Sequence, residues 1–328
     1  AETAKPDIEQ PLEEAQAAFG IILSERQKDA VRMVFQSNVS VITGGPGKGK
    51  TTVLRVVLEV FKRITGRDDF LLCAPTGRAR KRLSESAGAP ALTLHKAMYL
   101  NGVEDLSGLA DREDLLEEEL IIADEFTMSD MWLSSILFSR VRSGARLVLV
   151  GDVDQLPSVG PGAVFKAIID SGIVPVTVLD VFFRQAKDSR IILNADRMIR
   201  SQRTLIYGDD FQFHPAENDH EAAKIIASLD QAELVRADGN PDMVQVLSPY
   251  RVKTEAGVNA LNRMLREIAN PASADAAQWN VGGQIFRIGK LGMDGLYRHF
   301  PAAGGVERHF CSVPDCIFCI ALSKLFLQ

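Results

Sequence analysis

The residues best equipped for chemistry lie between Val39 and Thr52, where VSVITGGPGKGKTT runs from a β-branched stretch through a glycine cluster into a lysine and two threonines. Gly44, Gly49, Lys50 and Thr51 fall on the G-x-x-x-x-G-K-[ST] spacing of a P-loop. The chemistry accounts for the spacing, because backbone N–H groups must all turn inward on a phosphate and glycines allow this at least cost. Gly45, Pro46, Gly47, Lys48 and Gly49 would wrap the phosphates of ATP, and Lys50 would reach the β/γ-phosphates. Thr51 would hold Mg²⁺ through its hydroxyl, with Thr52 following in a helix whose N-terminus adds its positive dipole end. A bare glycine turn between strand and helix is the alternative, and the strand, turn and helix context argues against it.

Two further polar clusters close apolar runs. Asp124-Glu125 follows LIIA, where the aspartate can hold the Mg²⁺ shell from across the P-loop and the glutamate can orient or deprotonate a water. Solvated loop carboxylates are the competing reading, weakened by the P-loop upstream. Asp152 and Gln155 follow RLVLVG and suit a polar group sensing a γ-phosphate, or else are turn residues beside Pro157. Upstream, Gln27 admits two roles. It is the third residue of a capping box with Ser24, and it is also an amide placed to pair with an adenine edge; position alone favours the cap.

These groups need a scaffold that brings them together. The runs at 39–43, 70–74, 120–124, 146–152 and 176–180 read as buried strands alternating with helices, which predicts an α/β fold: a parallel sheet sandwiched between helices. In such sheets the ligand sits outside the carboxyl ends of the strands. Thr43 to Gly45, Pro75 to Gly77, Asp124-Glu125 and Gly151 to Gln155 should therefore converge.

The chain has 328 residues, enough for one large or two medium domains. Its net charge of -6 excludes a broad nucleic-acid-binding face, so any DNA contact must be local, near Arg78 to Arg82 or Arg184 to Arg203. No apolar run approaches a membrane span and the start lacks signal-peptide regions, so a cytoplasmic protein with no membrane partner is expected. The lack of an initiator Met and the abrupt end suggest a fragment or processed chain. Residues 1–22 are acidic and read as a linker or the end of a preceding domain. Four cysteines do not make a disulfide framework at this length.

Taken in order, Gln27, GGPGKGKTT, APTGRARKRL, TLH (Thr93 to His95), ADEFTM, LVGDVDQLPSVGPG, FRQAKDSRIILNADRMI and QVLSPYR closely resemble the RecD-like helicases of superfamily 1, over about residues 22–290. The resemblance implies an ATP-dependent 5′-to-3′ DNA translocase with two RecA-like domains. The first would span 23–180, the second, incomplete, 181–280, and the start of an SH3-like insertion with an unassigned tail 281–328. It implies that Gln27 contacts adenine, reversing the preference for the cap. It casts Lys50 and Thr51 as phosphate and Mg²⁺ ligands, Asp124 and Glu125 as the Mg²⁺ shell and catalytic base, and Gln155 as the coupler of γ-phosphate to DNA. Arg184 matches an arginine finger. Thr76, Gly77, Arg78 and His95 would lie along single-stranded DNA in the first domain and Ser248, Pro249 and Tyr250 in the second, with Tyr250 able to stack on a base. A duplex with a 5′ overhang would be the substrate.

The chain departs from the family in three places. Lys48 replaces the usual threonine, adding a cation that either tightens phosphate binding or crowds Lys50. Asn101-Gly102 suits a hairpin turn, but the acidic stretch around it reads as a solvated loop rather than a DNA-splitting pin. After Lys290 the family's later motifs are missing, and His309, Cys311, Cys316 and Cys319 read as ordinary packing rather than a zinc site. This chain alone is therefore expected to hydrolyse ATP slowly at most and not to unwind duplex. A P-loop ATPase or kinase acting on something other than DNA, and a non-catalytic nucleotide-binding remnant, are the alternatives.

Overall fold

The apolar runs form six strands: β1 (Val39–Thr43), β2 (Phe70–Ala74), β3 (Leu92–Thr93), β4 (Leu120–Ala123), β5 (Arg146–Gly151) and β6 (Val176–Val178). They make one sheet in the order β3-β2-β4-β5-β1-β6, with every pair parallel. The computed structural model describes residues 6–100, 114–180, 189–240, 243–269, 278–281 and 284–287.

Alternation along each strand feeds two cores. On one face Ile42, Leu72, Ile122 and Val148 pack with α2 (Glu25–Gln36) and α3 (Lys50–Thr65). On the other, Val41, Cys73, Ile121 and Leu149 pack with α5 (Leu94–Ala97), α6 (Met131–Arg140) and Phe165 of α7 (Val164–Ser171). Both faces are covered, which is why these strands read as unbroken apolar runs. Burial also pushes the Cys73 thiol far above its ordinary pKa, so it behaves as a small core residue.

Residues 1–22, expected to be a linker or the end of a preceding domain, carry a helix that packs into the first of these cores. Glu9–Phe19 form α1, which ends at Gly20 in the left-handed region (φ 63°) and places Leu12 and Ala15 in the same core as α2 and α3. Arg32 of α2 grips the Glu9 carboxylate at 2.8 and 3.0 Å, holding it below the usual carboxylate range, and Arg63 of α3 pairs with Glu14 at 2.8 Å. Glu59 takes the other nitrogens of the same guanidinium, Nε and Nη2, each at 2.8 Å, so Arg63 serves both acids. α4 (Gly77–Ala87) completes this side of the sheet.

The chain divides into two compact units, Ala1–Ile192 and Leu193–Gln328, twelve residues beyond the expected boundary at 180. In the second, α9 (Asp219–Arg236) and α10 (Val258–Ala269) bury Ala222, Ile226 and Leu261 together, while the Asn194 amide of α8 (Arg190–Ile199) bonds both ways with Ile206. β7 (Gln278–Val281) and β8 (Gln284–Arg287) form an antiparallel pair that starts just ahead of residue 281, where an insertion was expected. Among the described residues no helix is long and apolar enough to cross a membrane.

Candidate active site

β1 ends at Thr43, and the chain turns through residues 44–49 into α3, whose first residue is Lys50. Gly47 (φ 72°) and Gly49 (φ 83°) occupy the left-handed region that favours glycine. Gly44 is excluded from carrying a side chain by space: a Cβ there would lie 2.9 Å from the Leu179 carbonyl oxygen. α3 has no side-chain cap at Gly49, which leaves the N–H groups at its start, ahead of the Val53 N–H that donates to the Gly49 carbonyl at 3.0 Å, without a side-chain acceptor, as an anion site requires. The Lys50 ammonium donates to the carbonyl oxygens of Gly44 and Gly45, which hold it at the loop.

Lys48 folds back over Gly45. Its Nζ and an oxygen of the buried Asp152 carboxylate lie 3.8 and 4.0 Å from the point where a Cβ on Gly45 would sit. The added cation therefore lies on the Asp152 side of the loop. The Lys48 carbonyl accepts from the Gln27 side-chain amide at 3.5 Å, and the same Gln27 forms the capping box, its backbone N–H donating to Ser24 Oγ and its Oε1 accepting from the Ser24 N–H. Gln27 thus makes the cap that its position favoured and ties α2 to the P-loop.

Asp124 and Glu125 follow β4, two strands from β1. Burial, then the neighbouring Glu125 charge, pushes the Asp124 carboxyl up to about 6, with a Glu125 backbone hydrogen bond and the Lys50 charge pulling the other way. Glu125 sits at φ 51°, a left-handed conformation that a non-glycine residue adopts at a cost, and its Oε2 is buried with no hydrogen-bond partner. At the end of β5, Asp152 accepts the Asp154 N–H at 3.1 Å, Val153 donates to Thr43 Oγ1 at 3.3 Å, and the Gln155 side chain is exposed. The P-loop, the acidic pair and this loop are brought together as the strand ends required.

Beside them is a cleft of about 260 Å³ whose walls include Pro75, Thr76, His95, Met128, Pro157 and Val159. Thr76 Oγ1 caps α4 by accepting the Ala79 N–H at 3.1 Å, Gly77 opens that helix, and Arg78 is exposed. The structure therefore gathers Thr76 and His95 on one cleft, and adds Met128 and Val159, which the sequence reading passed over because their proximity depends on strand order. Ser248, Pro249 and Tyr250 belong to the second unit. There the buried Ser248 hydroxyl donates to the carbonyls of Ala256 (2.8 Å) and Tyr250 (3.2 Å), while the Tyr250 ring is exposed. Arg184, Asn101-Gly102 and the His309 to Cys319 tail lie outside the described residues.

The donors fit a nucleotide with Mg²⁺. The uncapped start of α3 and Lys50 suit phosphates, and Thr51 and Asp124 supply hard oxygen ligands. The described residues hold no cluster of three or more His, Cys, Asp or Glu able to bind a metal.

Residues 27–161 match the family described as an AAA domain. The chain is 32% identical over 249 residues to an ATP-dependent RecD2 DNA helicase of Deinococcus radiodurans, covering 76% of this chain and 33% of that protein. It is 35% identical over 167 residues to the RecBCD enzyme subunit RecD of Mycobacterium tuberculosis, covering 44% of this chain and 29% of that one. Among solved structures, the Pif1 helicase from Candida albicans aligns with a TM-score of 0.44 at 21% identity, over 66% of this chain and 55% of that one. The chain spans about a third of the length of these curated relatives.

Proposed function

We propose that the chain, similar over 76% of its length to a RecD2 helicase, is a RecD-like helicase of superfamily 1 and the ATP-hydrolysing part of a motor that moves 5′ to 3′ along single-stranded DNA. The observation that carries the reading is the meeting of the uncapped P-loop helix, Asp124, the strained Glu125 and the 152–155 loop at one sheet edge, with the Thr76/His95 cleft beside them.

The residues divide the work by their chemistry. Lys50 and the first-turn N–H groups of α3 bind and orient the β/γ-phosphates, and Gln27 presents its amide to adenine at the expense of its contact with Lys48. Thr51 and Asp124 hold Mg²⁺, which neutralises phosphate charge when bound. Glu125, with one carboxylate oxygen unpartnered, orients water and accepts its proton. Gln155 passes the γ-phosphate state to the DNA side, and Arg184 supplies the finger charge. Thr76, Gly77, Arg78, His95 and, in the second unit, Ser248, Pro249 and Tyr250 follow the strand. Ser248 contributes through the backbone it fixes, since its O–H is donated to the Ala256 carbonyl, whereas Thr76 Oγ1 accepts the Ala79 N–H and keeps its own O–H to donate.

Because the net charge is -6, strand binding must rest on a few local phosphate contacts, so its salt slope should be shallow, about 0.7 log units per phosphate neutralised. Anisotropy of a labelled single strand at 50 and 200 mM salt, with the parent and Arg78→Ala, tests this. A smaller salt slope in the variant is expected, by about one unit of log affinity per log salt. Identical slopes would take Arg78 off the strand, whereas no binding by the parent would favour a P-loop ATPase that does not act on DNA. In a polypeptide that unwinds, displacement from a 5′ but not a 3′ overhang is the directional outcome.

A further inference from the structure

We propose that Thr127 is a positioning residue, whose hydroxyl locks the turn carrying Glu125 to the loop carrying Gln155. Thr127 is 8% exposed. Its Oγ1 donates to the Asp152 carbonyl at 3.1 Å and accepts the Asp152 N–H at 3.1 Å, so one hydroxyl satisfies both backbone groups of a buried residue on another strand end. Buried backbone groups have no solvent alternative, so this bond pair cannot be traded for water without opening the site.

The surroundings press the same joint closed. Gly151 precedes Asp152, and a Cβ there would lie 2.6 Å from Thr127 Oγ1 and 3.0 Å from the Phe165 ring. On the other side, Thr127 lies in the short 3-10 turn Phe126–Met128, which starts from the strained Glu125 and in which the Met128 N–H donates to the Glu125 carbonyl at 3.1 Å. Phe126 is fully buried against Phe165, ring centroids 6.3 Å apart. Movement at Glu125 is thus carried through Thr127 to Asp152, and from the Asp152 carbonyl to the Gln155 N–H at 3.1 Å. The threonine joins their backbones.

The turnover arm rests on the proposed ATP hydrolysis, whereas the exchange arm does not. In the full chain, Thr127→Val keeps the shape and removes the hydroxyl, and Thr127→Ser keeps the hydroxyl. Hydrogen exchange should accelerate about tenfold in Thr127→Val in the peptides covering both 125–129 and 151–155, and change little in Thr127→Ser. ATP turnover should fall about tenfold in the valine variant with ATP affinity within about twofold of the parent, and serine should restore it. Faster exchange in one segment only would overturn the joint. So would parental turnover in the valine variant, or equal losses of turnover and affinity. A parent that hydrolyses no ATP would overturn the reading of the site, and the exchange result would still decide the joint.

Discussion

Asp124 pairs a cost with a use. Its folded pKa, pushed up to about 6, lies above the ordinary 3.8, so the native state holds this proton more tightly than the unfolded chain does. The group is neutral in both states below about pH 3; between there and about pH 6 the unfolded chain ionises while the native carboxyl keeps its proton, so stability falls as pH rises through this window. Thr51 and a dication would offset that penalty. Without nucleotide, Asp124→Asn should therefore raise the melting temperature at pH 7.5, by the equivalent of about 3 kcal/mol, and leave it nearly unchanged at pH 3. A variant less stable than the parent at pH 7.5 would refute this assignment. Lys50 and Glu125 separate by function: Lys50→Ala should abolish nucleotide binding, while Glu125→Gln should keep ATP-Mg²⁺ binding and lose hydrolysis, checked by calorimetric titration beside phosphate release. At this scale the sequence was most informative, because the P-loop spacing and the acidic pair are local. Glu125's left-handed backbone and Thr127's bonds to Asp152 were hidden, since neither strain nor a contact between strand ends leaves a pattern in residue order.

The strands were legible as elements because both faces of the sheet are buried, turning period-two alternation into continuous apolar runs such as LIIA. α1 was missed because its acids dominated the composition, although Leu12, Ala15 and Phe19 recur at helical spacing and Gly20 supplies the stop. The element is a working part of the core: Leu12 is 1% exposed, so Leu12→Ala should lower the unfolding free energy by about 2–4 kcal/mol at unchanged denaturant slope. A change below about 0.5 kcal/mol would restore the linker reading. The capping box at Ser24 and Gln27 was read correctly from spacing. Its second contact, to the Lys48 carbonyl, was not, because only the fold brings the two loops together.

For the molecule as a whole, two units and an acidic net charge place the chemistry on one edge of the first sheet, where cations are concentrated in Lys48, Lys50 and the exposed Arg78. That the sheet is parallel and layered between helices followed from alternating strands and helices; its strand order did not. The division near Ile192 did not, since α8 carries polar and apolar residues across it without a break in composition. The central claim is that nucleotide and single-stranded DNA meet on the same motor. The most direct measurement is the steady-state rate of ATP hydrolysis by the purified chain, with and without a single-stranded oligonucleotide, beside Glu125→Gln. A slow rate that rises with the oligonucleotide and vanishes in the variant is the predicted result; hydrolysis indifferent to DNA, or persisting at the parent rate in Glu125→Gln, would contradict it.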